Sequence, residues 1–203
     1  MARKTMHPTR EKLIMTMVRL LDGPDPEHVT VEEVLNESAI SRGSLYHHFA
    51  DFEELHETGL AYRITQWVNE SVAAMSSILD SAQSREDIRK GIFAITAQSQ
   101  DASRRLNRLE RARAFGLAGF SPRFQAVLGA EQARMTNALQ GHIEEAQRRG
   151  WIRADIDSMA TAVFIQAYTL GRVVDDISTE KVDPEKWNDL INRVIVSHIF
   201  DGD

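Results

Sequence analysis

The sequence contains no cysteine, which excludes disulfide bonds, thiolate metal sites and cysteine nucleophiles. Proline is scarce, and two of the prolines fall within residues 22–26, where they end a helical pattern. The longest apolar run, residues 159–171, is interrupted by Gln166 and is too short to span a bilayer. No apolar segment typical of a signal peptide follows Met1. We therefore expect a cytoplasmic protein with no membrane segment.

The patterns of familiar enzyme classes are also missing. We find no G-x-S-x-G string, no glycine loop that cradles phosphate and no H-E-x-x-H. His47 and His48, with His56 nearby, are a weak metal signal, because neighbouring positions on a helix point about 100° apart. We predict no catalytic residue, no metal and no cofactor, and hence no enzyme.

The charge balance is mildly unfavourable for nucleic acid. The formal net charge is −6, and acidic side chains outnumber lysine and arginine within residues 1–60. DNA affinity depends on the local placement of cations more than on net charge. Five cations cluster near the N-terminus and near residue 42: Arg3, Lys4, Arg10, Lys12 and Arg42. We expect weaker non-specific DNA binding than in a basic repressor.

Apolar residues recur at helical spacing along the chain, and no stretch alternates convincingly as a strand does. This pattern predicts an all-α protein. Helices are expected over residues 9–21, as a short pair within 30–49, and then over 52–79, 84–99, 102–115, 122–149, 157–177 and 183–200.

The most informative stretch is residues 30–55. Thr30 followed by Glu33 predicts a capping box at the start of a short helix. Ser41 is a second cap, and Leu45 and Phe49 then fall four residues apart on a buried face. The polar residues left between them suit phosphates and base edges.

The string SRGSLYHHF at residues 41–49, followed by EEL at 53–55, resembles the recognition-helix signature of the TetR family of bacterial transcription regulators. That family carries Ser/Thr-x-Gly-Ser/Thr-hydrophobic-Tyr-x-His-Phe and then an acidic pair and Leu. The resemblance covers roughly the first sixty residues. It implies a three-helix DNA-binding domain with a helix-turn-helix over residues 1–51. It also implies a larger helical domain for ligand binding and dimerisation over residues 52–203.

The resemblance assigns residues to DNA. Tyr46 and Ser44 are expected on phosphates, and Arg42 and His47 at base edges. The family usually has Lys where Phe52 stands, so that phosphate contact is lost or passes to backbone amides at the start of the next helix. The full predicted set is Thr30, Arg42, Gly43, Ser44, Tyr46, His47 and His48.

The resemblance also implies a pocket within residues 60–180, and its expected ligand is an apolar small molecule with one acceptor or acidic group. Ordinary core packing is the alternative role for each lining residue taken singly. The predicted lining comes from Trp67, Met75, Phe93, Phe115, Phe124, Met135, Phe164 and Tyr168.

Charged residues of the second half leave two interpretations open. Arg104, Arg108 and Arg111 share one helix face, which indicates either a solvated surface or an anion site. Asp175 and Asp176 are expected to be solvated.

The resulting hypothesis is a ligand-responsive, DNA-binding transcription regulator, a repressor that a small molecule releases from its operator. By resemblance it is a homodimer through its last two helices, on a double-stranded DNA operator that is an imperfect palindrome. The alternative is a helical small-molecule-binding or interaction module without DNA binding, of which Phe52 and the acidic balance would be symptoms.

Overall fold

The computed structural model describes residues 6–23, 26 and 28–200, and within these residues the regular secondary structure is helical, with no strand. The all-α prediction is confirmed. A short 3-10 turn, Ala102–Arg104, precedes α6. The helices are α1 (Pro8–Leu21), α2 (Val31–Ser38), α3 (Arg42–His48), α4 (Phe52–Ser81), α5 (Arg85–Gln100), α6 (Arg105–Ala118), α7 (Pro122–Arg148), α8 (Ser158–Gly171), α9 (Val173–Ile177) and α10 (Pro184–Ile199).

Side-chain caps set most of the helix starts. An oxygen of the residue before the helix accepts a backbone N–H of the first turn, which satisfies a donor that the helix itself leaves free. After α7, Gly150 adopts φ +70°, a conformation that glycine tolerates well. The capping residues are Thr30, Ser41, Asp51, Ser84, Ser121, Asp157 and Asp183.

Most predicted helix boundaries shift by one to three residues; the helix predicted over residues 102–115, for example, is α6 (Arg105–Ala118) after the 3-10 turn. Helix α1 starts at Pro8, one residue early, because the His7 ring accepts the backbone N–H of Thr9 at 3.2 Å. The single helix predicted over residues 157–177 is broken at Arg172 into α8 and α9. The break follows Gly171, which has low helix propensity. The cations Arg3 and Lys4 lie outside the described residues.

Helix α4 is the central helix of the fold and contributes to both of its buried apolar clusters. Its 30 residues give a length of about 45 Å. Its first half belongs to a buried apolar cluster shared with α1, α2 and α3, and also with Phe124 and Leu128 of α7. Its end belongs to a second buried cluster with α5, α7, α8 and α10. The domain boundary between residues 51 and 52 stays a prediction, and the first apolar cluster runs through it.

The contact between α1 and α4 is close at one point. A Cβ added to Gly59 of α4 would lie 2.6 Å from Cγ of Met17 on α1. Glycine at this position therefore lets the two helices approach closely, and the close approach fixes how α1 packs on α4. Within the described part of the chain, no helix is long and apolar enough to cross a membrane.

Candidate nucleic-acid interface and ligand cavity

The start of α2 is held by the predicted capping box. Glu33 Oε2 accepts the Thr30 backbone N–H at 2.7 Å, and Thr30 Oγ1 accepts the Glu33 N–H at 3.3 Å. A tight turn then leads to α3. In it Ala39 takes a left-handed conformation at φ 52°, and Ser38 Oγ accepts the N–H of Ile40 at 3.2 Å. The turn is therefore fixed by local hydrogen bonds.

Helix α3 is held in place by a side-chain cap and by two buried side chains. Ser41 Oγ accepts the Ser44 N–H at 3.2 Å, while Leu45 and Phe49 are 0% and 2% exposed. Anchoring these positions turns Tyr46 outward, where it is 43% exposed. A Cβ on Gly43 would meet no atom within 4 Å, so the space above the helix start is open.

The other predicted DNA-binding residues lie around this helix. Arg42 and His47 are exposed, as is Thr30 at the start of α2, while Ser44 and His48 are half-buried. All residues of the predicted set are exposed or half-buried, and we call this set the α3 face: Thr30, Arg42, Gly43, Ser44, Tyr46, His47 and His48.

The α3 face carries little free positive charge. The Arg42 guanidinium pairs with Glu32 of α2. The ring of His48 lies 4.7 Å from that of His7 and 5.1 Å from that of His47. Desolvation, followed by the charges of His7 and His47, lowers the pKa of His48 below its ordinary value of 6.5. Arg42 must therefore exchange Glu32 for any other anion that it binds.

Of the two alternatives for the phosphate contact at Phe52, loss of the contact or its transfer to backbone amides, the start of α4 favours loss. Asp51 Oδ1 accepts the Glu54 N–H at 2.6 Å, and Glu54 Oε2 accepts the Ala50 N–H at 2.6 Å. With Glu53 also in the first turn, this helix end is negatively charged. Phe52, which stands where the family has Lys, packs against the first apolar cluster.

Two groups of ion pairs, which the sequence analysis did not predict, join α4 to the second half of the chain. In the first, Arg123 at the start of α7 donates from Nε to Glu57 Oε2 at 2.6 Å, and its Nη2 lies 3.3 Å from Asp51 Oδ1. Glu57 is only 6% exposed. Hydrogen bonds to both carboxylates raise the pKa of Arg123 still further. The cap of α4 is thereby tied to α7.

In the second group, Arg63 of α4 lies 2.9 Å from Glu110 of α6 and 3.0 Å from Asp22 at the end of α1. Burial raises the pKa of Glu110, although Arg63 opposes the shift. One guanidinium therefore connects three helices.

A cavity of about 290 Å³ lies between α4, α5, α6, α7 and α8. Trp67, Met75 and Met135, all predicted for the ligand pocket, line it. A second cavity of about 100 Å³ is lined by Met75 and by Tyr168, whose hydroxyl lies 3.0 Å from that of Thr96. Four of the eight predicted pocket residues therefore line one cavity or the other.

The remaining four aromatic residues line neither of these two cavities. Phe124 is 1% exposed inside the first apolar cluster, and Phe115 packs against that cluster. Phe93 packs against the second cluster, and Phe164 is 42% exposed with its ring 5.6 Å from that of Tyr168. Helical spacing shows that a residue is on an apolar face, but not which neighbour covers that face.

The arginine face of α6 is not a solvated surface, and that interpretation is wrong. Arg108 and Arg111 are 3% and 7% exposed. Arg108 makes a bidentate pair with Asp176, at 2.6 Å and 2.8 Å, which lowers the pKa of the carboxyl group. The expectation that Asp176 is solvated is therefore also wrong. Arg104 alone of the three predicted arginines is exposed.

Comparison with solved structures decides the fold. GusR of Salmonella enterica is 17% identical and has a TM-score of 0.69, with 96% of this chain and 98% of that chain covered. A TetR-family regulator from Mesorhizobium loti is 13% identical with a TM-score of 0.67, covering 93% of this chain and 95% of that one.

The chain has the fold of the TetR-family regulators. A third structure with this TetR fold, a transcriptional regulator from Saccharomonospora viridis in complex with choline, is 14% identical with a TM-score of 0.66, and covers 94% of this chain and 96% of that one. No family model and no curated protein matches the sequence. Among residues 6–23, 26 and 28–200, no group of three or more His, Asp or Glu side chains is placed to hold a metal ion.

Proposed function

We propose that this protein is a ligand-responsive, DNA-binding transcription regulator of the TetR family. The observation that carries the proposal is α3, a capped helix held by Leu45 and Phe49 that presents Tyr46 to solvent. A helix of this kind fits the major groove, where hydroxyls contact phosphates and Arg reads base edges. Tyr46 and Ser44 take phosphates, while Arg42 and His47 face the bases.

The proposed control is repression relieved by a small molecule in the cavity beside α4. Only three residues separate the end of α3 from the start of that helix, which lines both cavities further along, so a ligand that tilts it moves α3. The ion pairs of Arg63 and Arg123 connect α6 and α7, respectively, to the first half of α4. A ligand preference of about 10⁴-fold for the state that cannot bind DNA would switch the population almost completely.

The proposed assembly is a homodimer through α8–α9 and α10. Apolar side chains on these helices are exposed in the single chain, while Ile191 and Ile195 are buried within it. Two copies would present two α3 helices to half-sites about 34 Å apart on an imperfect palindrome. The exposed apolar residues are Met159, Val163, Phe164, Val174, Ile177 and Leu190.

DNA binding is tested by fluorescence anisotropy with duplexes that flank the protein's own gene, at low and high salt. The double variant Tyr46→Ala/His47→Ala should weaken specific binding by roughly 1–3 kcal/mol or more, with relaxed specificity. Asn69→Ala, at an exposed position on α4, is the control. Unchanged affinity in the double variant would show that α3 does not read the operator.

The alternative is a helical ligand-binding or interaction module without DNA binding. The acidic start of α4 and the pairing of Arg42 with Glu32 favour it. If no flanking duplex binds even at low salt, where phosphate contacts are strongest, this alternative stands and the regulator proposal fails.

The dimer is tested by light scattering at micromolar concentration. Val163→Glu on α8 should yield a monomer, because it puts a charge into the proposed interface. Val127→Glu on α7 is the matched control, since Val127 is similarly exposed, at 47% against 52%. If the wild-type protein has the mass of a monomer, the proposed dimer is wrong.

A further inference from the structure

Arg111 is a buried cation for which the described residues 6–23, 26 and 28–200 supply no anionic partner. It lines the larger cavity and is 7% exposed. Its buried Nε–H donates to no acceptor within the described residues. The guanidinium carbon lies 3.7 Å from the centroid of the Trp67 ring. Burial alone lowers the pKa of this side chain to about 10.

The arrangement around Arg111 is energetically unfavourable in the free protein. The cation–π contact with Trp67 does not replace the hydration that a buried charge loses. Asp176 does not compensate, because it is bound to Arg108. A side chain held in this way is what a site for an anion requires, since a carboxylate receives two parallel N–H bonds from the guanidinium.

The other charged groups of the cavity limit the anion. Arg108 also lines it, but its charge is paired with Asp176; the other two, Arg104 and Glu70, are exposed. Glu70 disfavours a dianion such as phosphate, while Arg104 attracts anions towards the opening. A single negative charge fits best.

The walls also define the rest of the ligand. The two cavities share Met75, Ile95, Leu139 and Ile165, so they adjoin. The smaller cavity is mainly aliphatic, lined by isoleucine, leucine and methionine, with Ala146 among its residues. A ligand that reaches both cavities is polar at one end and aliphatic at the other.

We propose that the two cavities together bind a monocarboxylic acid with an aliphatic chain. The carboxylate receives N–H bonds from Arg111, and the chain passes Met75 into the smaller cavity. This inference rests on the proposed function only in taking such an acid to be the inducer; the binding itself does not depend on DNA.

The test is calorimetric titration of the intact protein with hexanoate, octanoate and decanoate, each against its primary amide. The acid should bind roughly tenfold to a hundredfold more tightly than its amide, because a charge-assisted pair is replaced by a neutral one. Affinity should rise roughly fourfold per added methylene until the smaller cavity is full. Equal binding of acid and amide would overturn the proposal.

Three variants refine the test. Arg111→Met should abolish the preference for acid over amide and raise the melting temperature of the free protein, because it removes an unpaired buried charge. Arg148→Met, at an exposed position on α7, should change neither. Ala146→Leu should weaken decanoate more than hexanoate, since it fills the smaller cavity. If Arg111→Met folds and still prefers the acid, Arg111 is not the carboxylate site and the proposal fails.

Operator release is then measured separately with the acid that binds best. If the acid binds through Arg111 while no duplex binds, the ligand assignment stands and the regulator proposal fails. If the duplex binds while acid and amide bind equally or not at all, the regulator proposal stands and this inference is wrong.

Discussion

Glu110 and Arg111 are consecutive residues of α6 whose side chains serve different parts of the molecule. Glu110 lies 2.9 Å from Arg63 of α4, and Arg63 in turn lies 3.0 Å from Asp22 at the end of α1. Arg111 lies over Trp67 at the larger cavity. A shift of α6 produced by a ligand at Arg111 therefore acts directly on α4 and on the end of α1.

Glu110→Gln should weaken the coupling between ligand and DNA while leaving each binding step intact. The substitution removes the charge that holds Arg63 but touches neither α3 nor the cavity. Coupling free energies are typically about 1–3 kcal/mol, and we expect most of this to be lost. The measurement is DNA affinity with and without saturating ligand. Glu131→Gln, which breaks an ion pair within α7, is the control. Undiminished coupling in Glu110→Gln would show that the Glu110–Arg63 pair does not transmit the effect of the ligand to DNA binding.

Asp176→Asn should destabilise the protein by about 3–5 kcal/mol, because it leaves the buried Arg108 charge without its anion. The paired change Arg108→Met/Asp176→Leu should recover much of the loss, since it removes both charges. Urea denaturation measures the free energy of unfolding, and Asp189→Asn on α10, from an exposed pair, is the control. A loss below 1 kcal/mol in Asp176→Asn would show that the pair contributes little.

Stability should fall as the pH falls through 6.5, and His56 is one cause. Burial lowers the pKa of this half-buried side chain below its ordinary 6.5. On acidification the unfolded chain therefore takes up the proton first, and stability is lost between pH 6.5 and the lower folded-state pKa. His56→Gln should flatten this part of the profile, measured as the urea midpoint on either side of pH 6.5, whereas His198→Gln should not. An unchanged slope in His56→Gln would assign the effect elsewhere.

DNA affinity should rise on acidification, with His48 as a contributor. Its pKa lies below 6.5 because of desolvation and the neighbouring His7 and His47, so acidification below that pH adds the charge of His48 to the α3 face. Each cation added near phosphate strengthens binding and steepens its dependence on salt. Anisotropy at several pH values, with His48→Gln and the remote His198→Gln, checks this. Affinity that is independent of pH would exclude the histidine cluster from the interface.

Local chemistry made much of the fold predictable. Thr30 and Ser41 were both predicted as caps and are caps, because the hydrogen bond that starts a helix joins residues two or three positions apart. The spacing of nearby residues also predicted the buried face of α3: Leu45 and Phe49 are buried as expected. The break at Arg172 was not predicted, because no proline or turn sequence marks it.

Long-range pairing was not predictable from this sequence. Arg108 finds Asp176 sixty-eight positions away, and Arg123 finds Glu57 sixty-six positions away. Neither pair produces a periodic pattern in the sequence. Charged residues that the sequence analysis could assign to a solvated face therefore form ion pairs between helices instead. Phe124 shows the same limit for apolar residues, since its burial in the first cluster depends on where α7 crosses α4.

The apolar cluster that crosses residue 51 decides where this chain can be recombined with a related one. Leu45 of α3, Leu55 of α4 and Phe124 of α7 belong to one buried cluster. A chimera joined at residue 51 would set a foreign α4 and α7 against the native α1–α3, with mismatched volumes at many contacts. A transplant of the α3 face that keeps its geometry must carry α4 at least as far as Val68, the last α4 residue buried in that cluster. It must also keep the residues of α6 and α7 that complete the cluster: Ala114, Phe124, Leu128 and Met135.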